Sequence, residues 1–214
     1  MFIDLEKKRC LVAGGGTVAL RKVQALLDFG ADVVVIAPEV KQEICNLKNV
    51  QVLQREFTQE DLKDCELLVA ATDDKDLNHR LAELAKSEKI AVNAVDQKED
   101  CTFLFPSYVK EQNLTGAFSS GGNSPLLTQY LKQKISVILT AELGEINEYM
   151  GSIRPYVKSC VSEEGVRSRV YRRILNELLA QQKYNGRPEQ DRIDKLIEEV
   201  VKEGGNPVWS EQED

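Results

Sequence analysis

The sequence predicts an α/β fold: a parallel sheet covered by helices on both faces, then a short mixed region, then a small helical region. Three observations predict it. Short, continuous apolar runs alternate with helical patterns over the first hundred residues. A glycine-rich turn joins the first run to the first helical pattern. After Asp96 the regular alternation stops, and the last third is charged and helical in period. Strands that are apolar along their whole length are buried on both faces, as they are in a parallel sheet sandwiched between helices.

The first strand is Arg9-Cys10-Leu11-Val12-Ala13. A helix is expected over 18–29, with Val18, Ala25, Leu26 and Leu27 as its apolar face and Gly30 just past its end, where a positive φ is tolerated. The β-branched run Asp32-Val33-Val34-Val35-Ile36 is stopped by Pro38, and Val50-Gln51-Val52-Leu53 is a third strand. Thr58 and Asp61 stand at capping-box spacing for a short helix. Leu67-Leu68-Val69-Ala70-Ala71 and Ala91-Val92-Asn93-Ala94-Val95 are strands four and five, flanking a helix marked by Leu77, Leu81, Leu84 and Ala85. Outside this alternation, Thr102-Phe103-Leu104-Phe105 and Leu114-Thr115-Gly116-Ala117-Phe118 are expected as further strands. Ser124-Pro125 starts a helix as N-cap and N1, with Leu127, Leu131, Ile135 and Ile138 at helical spacing. Helices are expected from about 142 onward, including 166–182 and 188–202, with a loose tail over 204–214. The expected division is a nucleotide-binding domain over 1–112, a mixed region over 113–150 and a helical domain over 151–214.

Composition narrows the function classes. The net charge of −7 argues against broad binding to nucleic acid or to anionic membranes. No apolar stretch reaches membrane-spanning length, and the N-terminus lacks the apolar core of a secretory signal. The five cysteines are scattered, odd in number and without a C-x-x-C pair, which disfavours a disulfide framework or a zinc site and fits a reducing cytoplasm.

Gly14-Gly15-Gly16-Thr17-Val18-Ala19 fits G-x-G-x-x-A, placed between the first strand and the first helix. Gly14 permits the tight turn, Gly16 lets the backbone approach a pyrophosphate, and Ala19 lets the helix lie close to the sheet. Phosphate oxygens then meet free N–H groups at the helix N-terminus. The expectation is a Rossmann-type domain binding a dinucleotide through Gly14, Gly15, Gly16, Thr17 and Val18. The second strand ends at Ala37-Pro38-Glu39. Glu39 can accept from a ribose 2′-hydroxyl and would repel a 2′-phosphate, so NAD is favoured over NADP. The alternative for Glu39 is a solvated acid in the first turn of the next helix. Thr72 and Asp73, at the end of strand four, are expected at the same crevice, because strand C-termini gather where dinucleotides bind.

A second set of segments adds to this: Gly14-Gly15-Gly16-x-Val18-Ala19-x-Arg21-Lys22, Ala70-Ala71-Thr72-Asp73-Asp74 with Leu77-Asn78, Val92-Asn93-x-Val95-Asp96, Phe103-x-x-Pro106 and Ser119-x-Gly121-Gly122-x-Ser124-Pro125. Together they resemble the precorrin-2 dehydrogenase and sirohydrochlorin ferrochelatase family, whose module also opens the siroheme synthases; the resemblance covers about residues 1–150. It implies NAD-dependent oxidation of precorrin-2 to sirohydrochlorin, insertion of ferrous iron in some members, and a homodimer with exchanged strands. It matches a functional acid of the family to Asp96, with Asp100 as the alternative, and implicates Ser119 in substrate binding or regulation.

The chemistry gives an acid there a task. Aromatising the macrocycle sends a hydride to the nicotinamide and a proton to a base, and a buried carboxylate with a raised pKa is suited to take that proton. In iron insertion a carboxylate could instead accept pyrrole protons or hold the metal. The structural alternative is that Asp96 only caps a turn. A polycarboxylate substrate needs cations despite the acidic average. Lys22 is taken as the binding residue, and Lys110, Lys132, Lys134, Arg154 and Arg167 are further candidates, each also readable as solvated surface. Ser124 is expected to cap its helix rather than react. His79, the single histidine, sits within a helical pattern and rules out a histidine-rich metal site. The rival to an enzyme is an NAD-responsive regulatory module.

Overall fold

The computed structural model of the chain describes residues 2–180, 188 and 190–203. By their contacts these form two units, one over 2–105 with 121–123 and one over 106–120 with the described residues from 124 onward.

The first unit holds five parallel strands, β1 (Arg9–Ala13), β2 (Asp32–Ile36), β3 (Val50–Leu53), β4 (Leu67–Ala70) and β5 (Ala91–Ala94), in the order β3-β2-β1-β4-β5. Successive residues of each strand face opposite layers. Cys10, Val12, Val33, Val35 and Val69 pack under α1 (Thr17–Asp28) and α2 (Gln42–Cys45). Leu11, Ala13, Val34, Ile36, Leu68 and Ala70 pack under α3 (Lys75–Ser87). This double burial is why the strands read as unbroken apolar runs. The buried stripe of α1 is Ala19, Val23 and Leu26. Ala25, expected on that stripe, is only half-buried. Thr58 and Asp61 form the expected capping box, on a single 3-10 turn (Gln59–Leu62). The chain runs outward from β1 to β3 and then crosses back to β4. The reversal therefore falls between β1 and β4, the switch point at which ligands bind in such sheets.

Residues 102–105 are not a strand. The N–H groups of Thr102 and Phe103 donate to the carbonyl of Val92, and Asn93 Nδ2 donates to the carbonyl of Phe103. Phe103 and Phe105 turn into the α1 layer, their ring centres 5.3 Å apart. Burial of these aromatics in the first unit, rather than strand pairing, explains the apolar run.

The strand lies just beyond, in a more polar segment. In the second unit β6 (Ser107–Glu111) pairs antiparallel with β7 (Leu114–Phe118) around a tight turn at Gln112-Asn113. The edge between units therefore falls before β6 and not at 112. Four helices follow: α4 (Pro125–Ser136), α5 (Ala141–Cys160), α6 (Glu164–Ala180) and α7 (Gln190–Lys202). α5 runs unbroken through the boundary expected at 150. It shares one core with α6 and α7, built on Ile146, Tyr149, Val157, Ile174, Leu178, Ile193 and Leu196. Pro188 is not helical. The expected helix end at 181–182 and the tail over 204–214 lie outside the described residues.

Candidate active site

Every structural feature of the glycine turn serves the switch point. Gly14 has φ +125°, and a Cβ there would lie 2.2 Å from the carbonyl oxygen of Ala71. Only glycine therefore lets β1 turn so tightly against the end of β4. Gly15 is bounded in the same way by the 39–41 loop, where a Cβ would meet the Glu39 carbonyl oxygen at 2.1 Å. A Cβ on Gly16 would meet nothing within 4 Å, and Gly16 N-caps α1 without a side-chain hydrogen bond. The first N–H groups of α1 therefore face open space, which is the arrangement an anion needs.

A cleft of about 1220 Å³ opens above this turn. Gly14, Gly15, Gly16, Thr17 and Val18 line it, as do Pro38 and Glu39 from the end of β2, Thr72 and Asp73 from the end of β4, and Asp96 from the end of β5. Ten of the residues expected at the site are thus brought together. Glu39 is exposed and precedes α2, whose N-cap is Lys41 and whose first-turn acid is Glu43. The reading of Glu39 as a first-turn helix residue is thereby removed. Thr72 is clamped by Asn78, which is 2% exposed. Asn78 Oδ1 accepts from the Thr72 N–H at 3.1 Å and from its hydroxyl at 2.7 Å, and its Nδ2 donates to the Thr72 carbonyl at 3.1 Å. Asp74 beside it caps α3 by accepting from the Leu77 N–H at 3.0 Å. Arg80 of α3 also lines the cleft and supplies a cation that the sequence reading missed. Its position one turn beyond Leu77, which also lines the cleft, on the helix that follows β4, was the available signal.

The two acids proposed for proton transfer part company. Asp96 is exposed at φ +60° on the rim of the cleft, so the burial expected of the proton-accepting acid is absent. Among the described residues its carboxylate accepts no hydrogen bond from the turn, which removes the capping alternative. Asp100 is 4% exposed and lies off the cleft lining. Its two oxygens accept from His79 Nδ1 at 2.8 and 2.9 Å and from Gln97 Nε2 at 3.2 Å. Asp100 is therefore occupied where Asp96 is free. His79, Glu83 and Asp100 present metal-ligand atoms within 4.8 Å of one another, but the Lys86 ammonium lies 2.9 Å from Glu83 and 3.6 Å from Asp100 and supplies the positive charge there.

Lys22 is half-buried beside this rim, with its ammonium 4.0 Å from the centre of the Phe105 ring. Burial, then the nearby Arg21 charge, lowers its pKa, while Cys101 and Asp96 act in the opposite direction. Lys22 is thus within electrostatic reach of Asp96 without lining the cleft. Ser119 is exposed at the end of β7, in the second unit. Ser124 caps α4 through the Leu127 N–H at 3.2 Å, as expected. Arg167 donates to the carbonyls of Val161 and Ser162 and so braces the link from α5 to α6. Lys132, Lys134 and Arg154 lie over the rings of Tyr108, Tyr130 and Tyr171.

A glycine turn with open helix N–H groups, at the reversal of a parallel sheet, defines a dinucleotide-binding α/β protein. Residues 1–107 match the NAD(P)-binding family NAD_binding_7, and the chain belongs to that family. It is 36% identical to a siroheme synthase of Nitrosospira multiformis over 99% of this chain and 46% of that protein. It is 35% identical to siroheme synthase 2 of Klebsiella pneumoniae over 97% and 47%. The chain thus spans about half the length of the curated relatives it matches. Its fold is similar to the solved structure of SirC, precorrin-2 dehydrogenase, with a TM-score of 0.72 over 94% of this chain and 98% of that one, at 24% identity.

Proposed function

We propose that this chain oxidises precorrin-2 to sirohydrochlorin with NAD as the hydride acceptor. The observation that carries the reading is the cleft itself, which holds the phosphate-binding turn and an unengaged carboxylate, Asp96, on one continuous lining. The relatives named siroheme synthase and the fold shared with a precorrin-2 dehydrogenase support it.

The residues divide the work. The N–H groups around Gly16 and Thr17 hold the pyrophosphate. Glu39 accepts from the adenosine ribose hydroxyls, and its charge disfavours a 2′-phosphate, which selects NAD over NADP. Thr72 and Asp73 bound the floor between the turn and Asp96. NAD, when bound, supplies the acceptor for the hydride. Asp96 takes the proton that leaves the macrocycle, so that the two electrons and two protons lost by the substrate leave as one hydride to NAD and one proton to the carboxylate. Solvent access at Asp96 gives that proton a route out. Lys22 is assigned to the substrate carboxylates.

The test is anaerobic addition of precorrin-2 to the protein with NAD, following NADH by absorbance. Stoichiometric NADH supports the reading. NAD binding without any NADH would favour a regulatory module instead. Repeating the assay with ferrous iron, and watching for siroheme, decides whether the same chain inserts the metal.

We also propose a homodimer. The support is α4, which buries none of its residues and exposes Leu126, Leu127 and Tyr130. Val137 and Ile138, just after the helix, are exposed as well. Leu126, Leu127 and Tyr130, at i, i+1 and i+4 of one helix, share a face, and an exposed apolar face of this kind marks an association surface. The five free thiols fit a reducing cytoplasm, and no described helix is long and apolar enough to cross a membrane.

A further inference from the structure

Asp96 adopts φ +60°, a left-handed conformation that a residue with a Cβ keeps when its surroundings over-determine it. The surroundings are on both sides of it. On one side the Cys101 sulfur lies 3.2 Å from the Ala94 carbonyl and 3.3 Å from the Gln97 carbonyl, spanning the turn. On the other side Gln97, the residue after Asp96, donates its amide to the Lys75 carbonyl at 3.1 Å and to Asp100 at 3.2 Å. Asp100 in turn holds His79 of α3 through both oxygens. The 96–100 segment is therefore hydrogen-bonded to α3 at two points one turn apart, Lys75 and His79, with the Lys86 ammonium 3.6 Å from Asp100 as a further contact.

We propose that the Asp100–His79 pair is a positioning device: it fixes the turn from which the Asp96 carboxylate faces the cleft, and it loosens when His79 loses its charge. The function of Asp96 rests on the reading above; the clasp itself does not. Asp100 and His79 act through Asp96 and touch neither substrate nor cofactor.

The device has a pH sense. The hydrogen bond and charge of Asp100 hold the His79 pKa above its ordinary value of 6.5. The charged groups facing the imidazole are Asp100 from the 3-10 turn, and Glu83 and Lys86 from α3; Glu83 reinforces the shift and Lys86 opposes it. A raised folded-state pKa means that the charged clasp is complete below about 6.5 and weakens as pH rises through the folded value. Neutral His79 keeps one N–H for Asp100, so the clasp slackens rather than opens.

His79 is the only histidine, so its ring proton is a single resolved signal in tag-free protein. The experiment compares wild type, Asp100→Asn and His79→Gln. It reads the histidine NMR titration, amide exchange over 95–101, NAD affinity, melting temperature and the pH profile of NADH formation. In wild type His79 should titrate above its ordinary value, and in Asp100→Asn it should fall back towards it. Amides 95–101 should exchange faster in Asp100→Asn than in wild type, while those of β1 and β2 stay unchanged. kcat should fall roughly ten- to a hundredfold in Asp100→Asn with NAD affinity intact. His79→Gln, which retains a donor, should keep more of the activity and lose the alkaline decline of kcat. An ordinary, mutation-insensitive His79 titration, or unaltered exchange at 95–101, would overturn the clasp. A lowered melting temperature with unchanged kcat would overturn the positioning role and leave a structural brace. Wild type that binds NAD but forms no NADH would count against the proposed reaction, and the titration and exchange data would still decide the clasp.

Discussion

Single residues at the cleft separate binding from chemistry. Gly16 faces open space, so Gly16→Asp should leave the fold intact and set a carboxylate against the incoming pyrophosphate. The expected outcome is loss of measurable NAD binding in calorimetry, with a melting temperature within a degree or two of wild type. Asp96 and Asp100 make a second contrast, because one is exposed and unengaged and the other is buried and fully engaged. Asp96→Asn keeps the size and one acceptor but cannot take a proton. It should lower precorrin-2 oxidation by about a hundredfold or more while NAD affinity holds. Asp100→Asn should cost less in turnover and more in local order. The reverse ranking, measured side by side as NADH production, would return the base to Asp100.

At the scale of elements, the 3-10 turn after β3 carries the clearest linkage between charge and stability. Asp61 is 6% exposed, accepts from Arg55 at 2.6 and 2.8 Å and caps the Thr58 N–H at 2.8 Å. The Arg55 guanidinium, aided by Thr58, pushes its pKa down to about 2. A depressed folded-state pKa contributes stability above the unfolded value near 4, and that contribution is lost as pH falls through the folded one. Thermal unfolding should therefore show a loss of melting temperature between about pH 4 and pH 2 that is diminished in Asp61→Asn. The variant should itself be destabilised at neutral pH, by roughly 1–3 kcal/mol, because Arg55 and Thr58 lose a charged acceptor. Arg9 donates to the Asp61 carbonyl at 2.8 Å, which ties the same turn to β1 and makes the effect global rather than local.

At the scale of the whole molecule, the exposed apolar face on α4 is the feature that a monomer does not explain. If two copies bury it, the protein should sediment as a dimer at micromolar concentration, and Leu126→Glu with Leu127→Glu should shift it to monomer. Neither side chain is buried within the chain, so the double variant should keep its secondary structure. A monomeric wild type would remove the dimer. The acidic average charge remains a constraint on any polycarboxylate substrate. The half-buried ammonium of Lys22 and the guanidinium of Arg80, one beside the Asp96 rim and one in the cleft lining, are local exceptions to it.

The sequence by itself determined the doubly covered parallel sheet, the glycine turn and ten residues of the cleft lining. The physical reason is that these are local: strand apolarity, helix period, and a Gly-rich step between them are all written over a few consecutive residues. Residues 14–18, 38–39, 72–73 and 96 were legible because strand C-termini of a parallel sheet must converge. Only the tertiary structure separated Asp96, exposed on the cleft lining, from Asp100, buried off it, because burial and the His79 and Gln97 contacts join segments about twenty residues apart. It also moved the sixth strand from 102–105 to Ser107–Glu111. Phe103 and Phe105 carry the apolarity of a strand but spend it on the α1 layer, and Ser107–Glu111 carries polar side chains yet finds a partner in β7. Hydrogen-bond pairing and side-chain burial are separate demands, and which one a short apolar run answers depends on what the rest of the chain brings beside it.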